Sequence, residues 1–205
     1  MTKAELTPKA DQTPADAKVA KELSGKLWVS RFPGSKETDS LEPDFKICVD
    51  LFQAAIEAAG GEAKINSAFR PLERAYLMHW AYKIYFEGVD PDKIPAKDGV
   101  PIEWEHPTLE QSQLAAGEMA EGFALLHLGT APSLESLHTV RQAVDMQIAW
   151  KGDLLVAAKD GTIVTIDTEP RTGMNKQLKE VGKSYGVIKF VGGAKDKPHW
   201  STTGH

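Results

Sequence analysis

Ala143-Val144-Asp145-Met146-Gln147-Ile148 is the stretch on which both the fold and the candidate site turn. Apolar and polar side chains alternate along it, which is the period of two expected of a β-strand with one buried face. Val144, Met146 and Ile148 share the face that enters a core, while Ala143, Asp145 and Gln147 share the other. A carboxylate is thereby aimed away from the core, into a cleft beside a small alanine.

Downstream, Leu154 to Ala157 and Thr162 to Ile166 read as strands joined across Asp160-Gly161 as a hairpin. A short helix over Asn175 to Val181, stopped by Gly182, leads to a strand at Val187 to Phe190. The upstream half is helical. Pro43-Asp44 opens a segment with Phe45, Cys48, Phe52, Ala55 and Ala59 on one stripe, closed by Gly60-Gly61. Ala63 to Ser67 is a short strand, and a second helix starts at Arg70-Pro71 and runs through Leu72, Ala75, Tyr76, His79 and Tyr82. Thr108-Leu109-Glu110-Gln111 has the form of a capping box, with Leu114, Met119, Phe123 and Leu126 continuing a third helix. Residues 88–107 hold four prolines and two glycines and read as a lid or a surface excursion. Helices first and a small antiparallel sheet later make an α+β arrangement.

Composition narrows the classes. A chain of 205 residues with 41% hydrophobic content buries one good core, so one domain over 26–205 with a polar, flexible leader over 1–25 is the expected organisation. The 24 basic and 29 acidic residues are interspersed, and no Lys/Arg run tracks a phosphate backbone, which argues against a nucleic-acid partner. The lone Cys48 has no internal disulfide partner and reads as a buried thiol. No segment reads as a secretory signal or a membrane span, so the expectation is a protein made in the cytoplasm and not inserted in a membrane.

His138 lies seven residues before Asp145, at the end of the loop leading into the strand, where it can turn back to the same cleft. Some fifty residues on, Asp196-Lys197-Pro198-His199-Trp200 supplies a second imidazole, with Trp200 pointing the other way if the stretch is extended. A set of His138, Asp145 and His199 leaves one zinc position open for water, as a catalytic site requires. Asp196 is a carboxylate placed to accept the proton of such a water. The bland reading remains beside it: chance His/Asp pairs are common among six histidines, and Asp196 between two lysines suits a solvated salt bridge. His79 and His127 fall within helical apolar patterns and read as core or boundary residues, His106 sits in the loop that can fold over the cleft, and His205 is terminal and mobile.

Ser136-x-His138 with Ala143-x-Asp145, followed by Asp196-x-Pro198-His199, resembles the signature of the zinc D-alanyl-D-alanine carboxypeptidase family. That family includes VanY-like carboxypeptidases and phage L-alanyl-D-glutamate endolysins, and is similar in active-site layout to lysostaphin-type enzymes and the hedgehog domain. Ser67-Ala68-Phe69-Arg70 resembles its Ser-Gly-Tyr-Arg segment, and Tyr185-Gly186-Val187 resembles the approach to its last ligand. The resemblance spans about Ile65 to Trp200 and implies zinc held by His138, Asp145 and His199. It also implies Asp196 as general base and acid, Arg70 on the polarised carbonyl or oxyanion, and Ser136 orienting a ligand or contacting substrate. Arg141 departs from the family's glycine three residues after the first histidine, which bears on the local turn.

The resemblance thus implies a hedgehog/D-Ala-D-Ala-peptidase-like fold and a zinc metallopeptidase acting on peptidoglycan stem peptides, as carboxypeptidase or endopeptidase. A wall hydrolase without a signal is expected to be a phage lysis protein or an injected effector, acting on the cell wall after lysis or non-classical delivery. The expected state is a monomer, with a delivery apparatus or immunity protein as further partners. The competing expectations are a non-catalytic zinc-stabilised cell-wall binding module and a small D,D-dipeptidase.

Overall fold

Strand pairing places the Asp145 stretch at the centre of the molecule. In a computed structural model that describes residues 20–205, Ala143–Ala149 forms a seven-residue strand. The strands, in chain order, are β1 (Glu22–Leu23), β2 (Glu62–Ser67), β3 (Ile102–Glu103), β4 (Ala143–Ala149), β5 (Leu154–Ala157), β6 (Ile163–Ile166), β7 (Ile188–Lys189) and β8 (His199–Ser201). The four α-helices are α1 (Pro43–Ala58), α2 (Leu72–Glu87), α3 (Leu109–Gly122) and α4 (Lys176–Ser184). Strands order as β2-β4-β8-β7, every neighbouring pair antiparallel, and β5 with β6 forms the expected hairpin. The fold is α+β, with four α-helices and small antiparallel sheets among the described residues.

One face of the sheet builds the first core. Val144, Met146, Ile148 and Trp200 project into it and meet Phe52 and Ile56 of α1, Leu178 and Val181 of α4, and Leu154 and Ile166 of the hairpin. Trp200 is completely buried, with its ring centroid 5.4 Å from that of Phe52. Helix α1 starts where Glu42 accepts hydrogen bonds from the backbone N–H groups of Asp44 and Phe45, with Pro43 in the first turn. It closes at Gly60, whose φ of 84° is the left-handed conformation glycine tolerates. Cys48 is a free thiol, part-buried against this core.

A second apolar cluster lies between α2 and α3. Leu77, Ala81 and Ile84 meet Ala116, Met119 and Ala120, with Trp28 and Trp104 closing the cluster. Residues 88–107 are not wholly a surface excursion: Val100, Ile102 and Trp104 are buried there, and the Trp104 indole donates to the Tyr76 hydroxyl at 3.1 Å. The same segment explains the N-terminal boundary. Of the leader expected over 1–25, residues 1–19 lie outside the described part, and β1 pairs parallel with β3, so ordered structure begins before residue 26.

Three local expectations are corrected by packing. Thr108 does cap α3 through the backbone N–H of Gln111, but the helix ends at Gly122, Leu114 and Leu126 are exposed, and the buried stripe is Ser112, Ala115, Ala116, Met119 and Ala120. The small residues let α2 approach closely, and Met119 is the one large side chain of the helix that fills the contact. His127 is exposed, neither core nor boundary. Gly182 does not stop α4; the helix runs on to Ser184 and Gly186, at φ 84°, takes the stop. Gly182 instead makes room for the sheet, since a Cβ there would lie 2.8 Å from both Trp200 Cζ3 and the Val187 carbonyl oxygen.

The turn around Arg141 forms without glycine. Arg141 holds φ at 65°, its N–H donates to the His138 carbonyl at 3.3 Å, and its guanidinium lies 4.6 Å over the Phe69 ring. A left-handed L-residue costs roughly 1–2 kcal/mol, and the cation–π contact returns about 0.5–1 kcal/mol of it.

Two stability measurements follow by urea unfolding. Gly182→Ala is expected to destabilise by about 1–3 kcal/mol through overpacking against Trp200, although alanine is the better helix former by about 1 kcal/mol. At the turn, Arg141→Gly is expected to be more stable than Arg141→Ala by about 1 kcal/mol, because only alanine retains the left-handed strain. A stabilised Gly182→Ala, or alanine superior to glycine at 141, would contradict these contacts.

Candidate metal centre

Register decides what meets on the open face of the sheet. Val144 pairs with Trp200 and Asp145 with His199, so the alternation that sends Val144 and Trp200 into the core sends Asp145 and His199 out together. Across the other edge of β4, Ser67 pairs with Asp145 after an irregularity between Ile65 and Ser67. His138 arrives from the preceding turn, in which the Thr139 N–H donates to the Ser136 carbonyl at 2.9 Å and the Gln142 N–H to the Leu137 carbonyl at 2.8 Å.

Each imidazole is anchored through its outer nitrogen. His138 Nδ1 lies 3.0 Å from the Ala68 carbonyl oxygen and His199 Nε2 lies 3.1 Å from the main-chain oxygen of His205. A carbonyl only accepts, so each of these nitrogens carries the proton and donates it. The inner nitrogens face one oxygen: His138 Nε2 is 3.3 Å and His199 Nδ1 3.5 Å from Asp145 Oδ1. The rings meet edge to face with centroids 5.0 Å apart. His138, Asp145 and His199 offer ligand atoms all within 4.8 Å of one another, and this buried cluster is able to hold a metal ion. His205 is not a loose end, since its main-chain oxygen also accepts from the Ser201 hydroxyl at 3.1 Å.

Charge around the cluster is uneven. Burial alone would raise the Asp145 carboxyl, but hydrogen bonds from His138 and His199 override it and hold the group well below the usual carboxylate range. Asp196 moves the opposite way. Its burial, and next the Asp145 charge, push its carboxyl up, while His199 and Lys189 pull it down. It sits at the end of a short 3₁₀ turn over Gly193–Asp196, with Oδ2 3.9 Å from His199 Nδ1, still nearly half exposed. The site is thus one ionised carboxylate inside the cluster and a second, more basic one at its mouth.

Of the other expected residues, Arg70 comes to the site and Ser136 stops short of the ligands. The Arg70 N–H donates to the His138 carbonyl at 3.2 Å, and its largely desolvated guanidinium is drawn electrostatically to Asp145 and Asp196. The Ser136 hydroxyl is buried without a hydrogen-bond partner and orients neither histidine. His106 lies away from the cluster, 3.0 Å from the Ser24 hydroxyl, and His79 Nδ1 meets the Pro132 carbonyl at 2.7 Å.

Lys189 has no counterpart in the sequence reading. Buried on β7, its ammonium donates to the His199 carbonyl at 2.8 Å and to the Lys197 carbonyl, tying down the main chain on both sides of Pro198. Burial pushes its pKa down to about 8, against the opposing pull of Asp196. The signal available in the sequence was its cross-strand place opposite Trp200, which required the register first. No described helix is long and apolar enough to cross a membrane.

No protein-family model matches the chain, and no curated protein matches it. The chemistry of the cluster itself is the ground for a functional reading.

Lys189 supplies a pH test. Between about 8 and its ordinary value of 10.5 the unfolded lysine keeps a proton that the folded one has lost, so stability rises with pH in that window. The stability of the wild type relative to Lys189→Met is expected to increase from pH 8 to pH 10.5, read from urea midpoints, with the Lys189 Cε resonance titrating near pH 8. A flat difference would show that the ammonium is solvated.

Proposed function

We propose that this chain is a zinc-dependent peptidase that hydrolyses peptide bonds in the stems of bacterial peptidoglycan, on a hedgehog/D-Ala-D-Ala-peptidase-like fold. The observation that carries the reading is the three-ligand cluster with a second carboxylate beside it. Ligand atoms about 2.0–2.1 Å from a tetrahedral zinc are roughly 3.3 Å apart. Asp145 Oδ1 has that spacing to His138 Nε2, at 3.3 Å, and nearly so to His199 Nδ1, at 3.5 Å. Two imidazoles, each anchored by a main-chain oxygen, and one carboxylate suit zinc, and three protein ligands leave a position for water.

When bound, the ion supplies an activated water at neutral pH. The protein's own residues do the rest. Asp196, with its carboxyl pushed up by burial and by Asp145, accepts the water's proton and passes it to the leaving amine. Arg70, already desolvated, directs its guanidinium at the carbonyl oxygen as negative charge develops there. Its compensation in the resting site comes from Asp145 and Asp196 across space, so the guanidinium is kept for substrate. The Ala68 and His205 oxygens hold the two imidazoles in the tautomers that ligation needs.

Peptidoglycan stems suit this arrangement because they carry free carboxylates that an arginine-bearing cleft attracts. Such a substrate puts the working site at the cell wall, reached after lysis or by an injection apparatus.

Zinc-loaded protein incubated with purified peptidoglycan, with mass spectrometry of the products, separates the outcomes. Loss of a terminal alanine marks a carboxypeptidase, a split stem or cross-link marks an endopeptidase, and cleavage confined to free dipeptide marks a D,D-dipeptidase. Asp196→Ala is expected to lower turnover by about 10²–10⁴-fold while zinc still binds, and His199→Ala is expected to lose zinc. Zinc binding without any hydrolysis by the wild type would leave a binding module; full activity in Asp196→Ala would defeat its assigned role.

A further inference from the structure

Beside the cluster, an open cleft of about 490 Å³ is bordered by Lys36, Asn66, Ser67, Phe69, Arg70 and Arg74. None of its lining residues is acidic. Two arginines four residues apart line it; Arg70 feels Asp145 and Asp196 across space, and Arg74 has no such carboxylate acting on it. Arg74, in the first turn of α2, donates through Nη1 to the Val29 carbonyl at 3.0 Å and the Phe32 carbonyl at 3.4 Å. Its guanidinium carbon lies 4.8 Å over the Phe123 ring. Neither arginine has a carboxylate at ion-pair distance among the described residues.

Burial pushes the Arg74 pKa down, and the neighbouring Arg70 charge pushes it the same way. Placing a second guanidinium beside Arg70 in a part-buried wall, with no carboxylate of its own, destabilises the fold. The main chain packs closely against the wall at Gly34. A Cβ at Gly34 would lie 2.8 Å from the Phe69 carbonyl oxygen and 3.8 Å from Arg74 Nε. Asn66 and Ser67 supply uncharged donors on the sheet side, and Lys36 an exposed ammonium at the mouth.

We propose that this cleft binds a carboxylate of the ligand, through Arg74 and Lys36, adjacent to the metal centre. A planar guanidinium presents paired N–H donors that match a carboxylate. The volume admits a short peptide segment together with its carboxylate, and the chain has no basic run to follow a polymer of phosphates. The choice of carboxylate over other oxyanions rests on the peptide reading above; the anion site itself does not. The carboxylate can come from a chain terminus or from an acidic side chain.

The test uses the full chain without metal, so that it is independent of turnover, with zinc binding measured separately. Side-chain Nε–H resonances of arginine are followed by NMR while N-acetyl-alanine, N-acetyl-alaninamide, N-acetyl-glutamate α-amide or inorganic phosphate is added at physiological ionic strength. Saturable shifts of the Arg74 resonance with either carboxylate and none with the neutral amide are expected, the tighter carboxylate identifying its source. Lys36→Gln is expected to weaken binding about threefold, read from the Arg74 resonance, and Arg74→Gln about tenfold, read from the backbone amides of Asn66 and Ser67 in the same cleft. Should Arg74→Gln fail to fold, Arg74→Lys replaces it and Lys36→Gln, at an exposed position, carries the comparison. Absence of saturation, an equal response to the amide, tighter binding of phosphate, or unchanged affinity in Lys36→Gln would overturn the assignment.

Discussion

The antiparallel pairing of Val144-Asp145 with Trp200-His199 is the constraint from which the rest follows. Because side chains alternate, one register decision sends Val144 and Trp200 into the core and puts Asp145 against His199 on the other face. A slip by one residue would bury the carboxylate and imidazole among Phe52, Ile56 and Leu178, and expose a tryptophan that is now wholly buried. The apolar side of the sheet therefore enforces the polar side. Gly182 and Gly186 serve the same end, one by letting α4 lie against Trp200 and the other by ending that helix in time for β7.

Electrostatics then divides the labour among like groups. Asp145 is ionised because two imidazoles hydrogen-bond to it, and its charge is one of the causes that raise Asp196. Arg70 and Lys189 both feel these two carboxylates, but from different places. Lys189 is spent on carbonyl oxygens of the ligand-bearing strand, while Arg70 keeps its guanidinium toward the cleft. A cation among the ligands would relieve the repulsion between Asp145 and Asp196, which is the physical sense in which the cluster asks for one.

Much of the architecture was legible from local pattern. Strict alternation over 143–148 identified β4 and which of its faces is buried, the Asp160-Gly161 turn identified the hairpin, and Thr108 marked the start of α3. Errors came where local pattern and packing part company. A proline-rich segment looked like a loop but carries Trp104 into a core, because an indole just after the short strand β3 needs only a neighbour to bury it. Leu114 and Leu126 looked like core and are exposed, because beside Met119 the α3 side of the α2–α3 contact is built from alanines that a search for large apolar residues passes over.

For this chain, residue type and spacing alone determined the α+β order, the faces of β4, and His138, Asp145 and His199 as candidate ligands. These are short-range properties, set by side-chain period and by chemistry that each residue brings with it. Tertiary structure alone decided that the ligands meet on one oxygen, which nitrogen of each histidine faces inward, and that Lys189 and the His205 main-chain oxygen hold the site in place. It also brought Arg74 and Lys36 to a common cleft from segments that share no motif. Those facts depend on strand register and on backbone carbonyls, which every residue possesses and no sequence pattern marks.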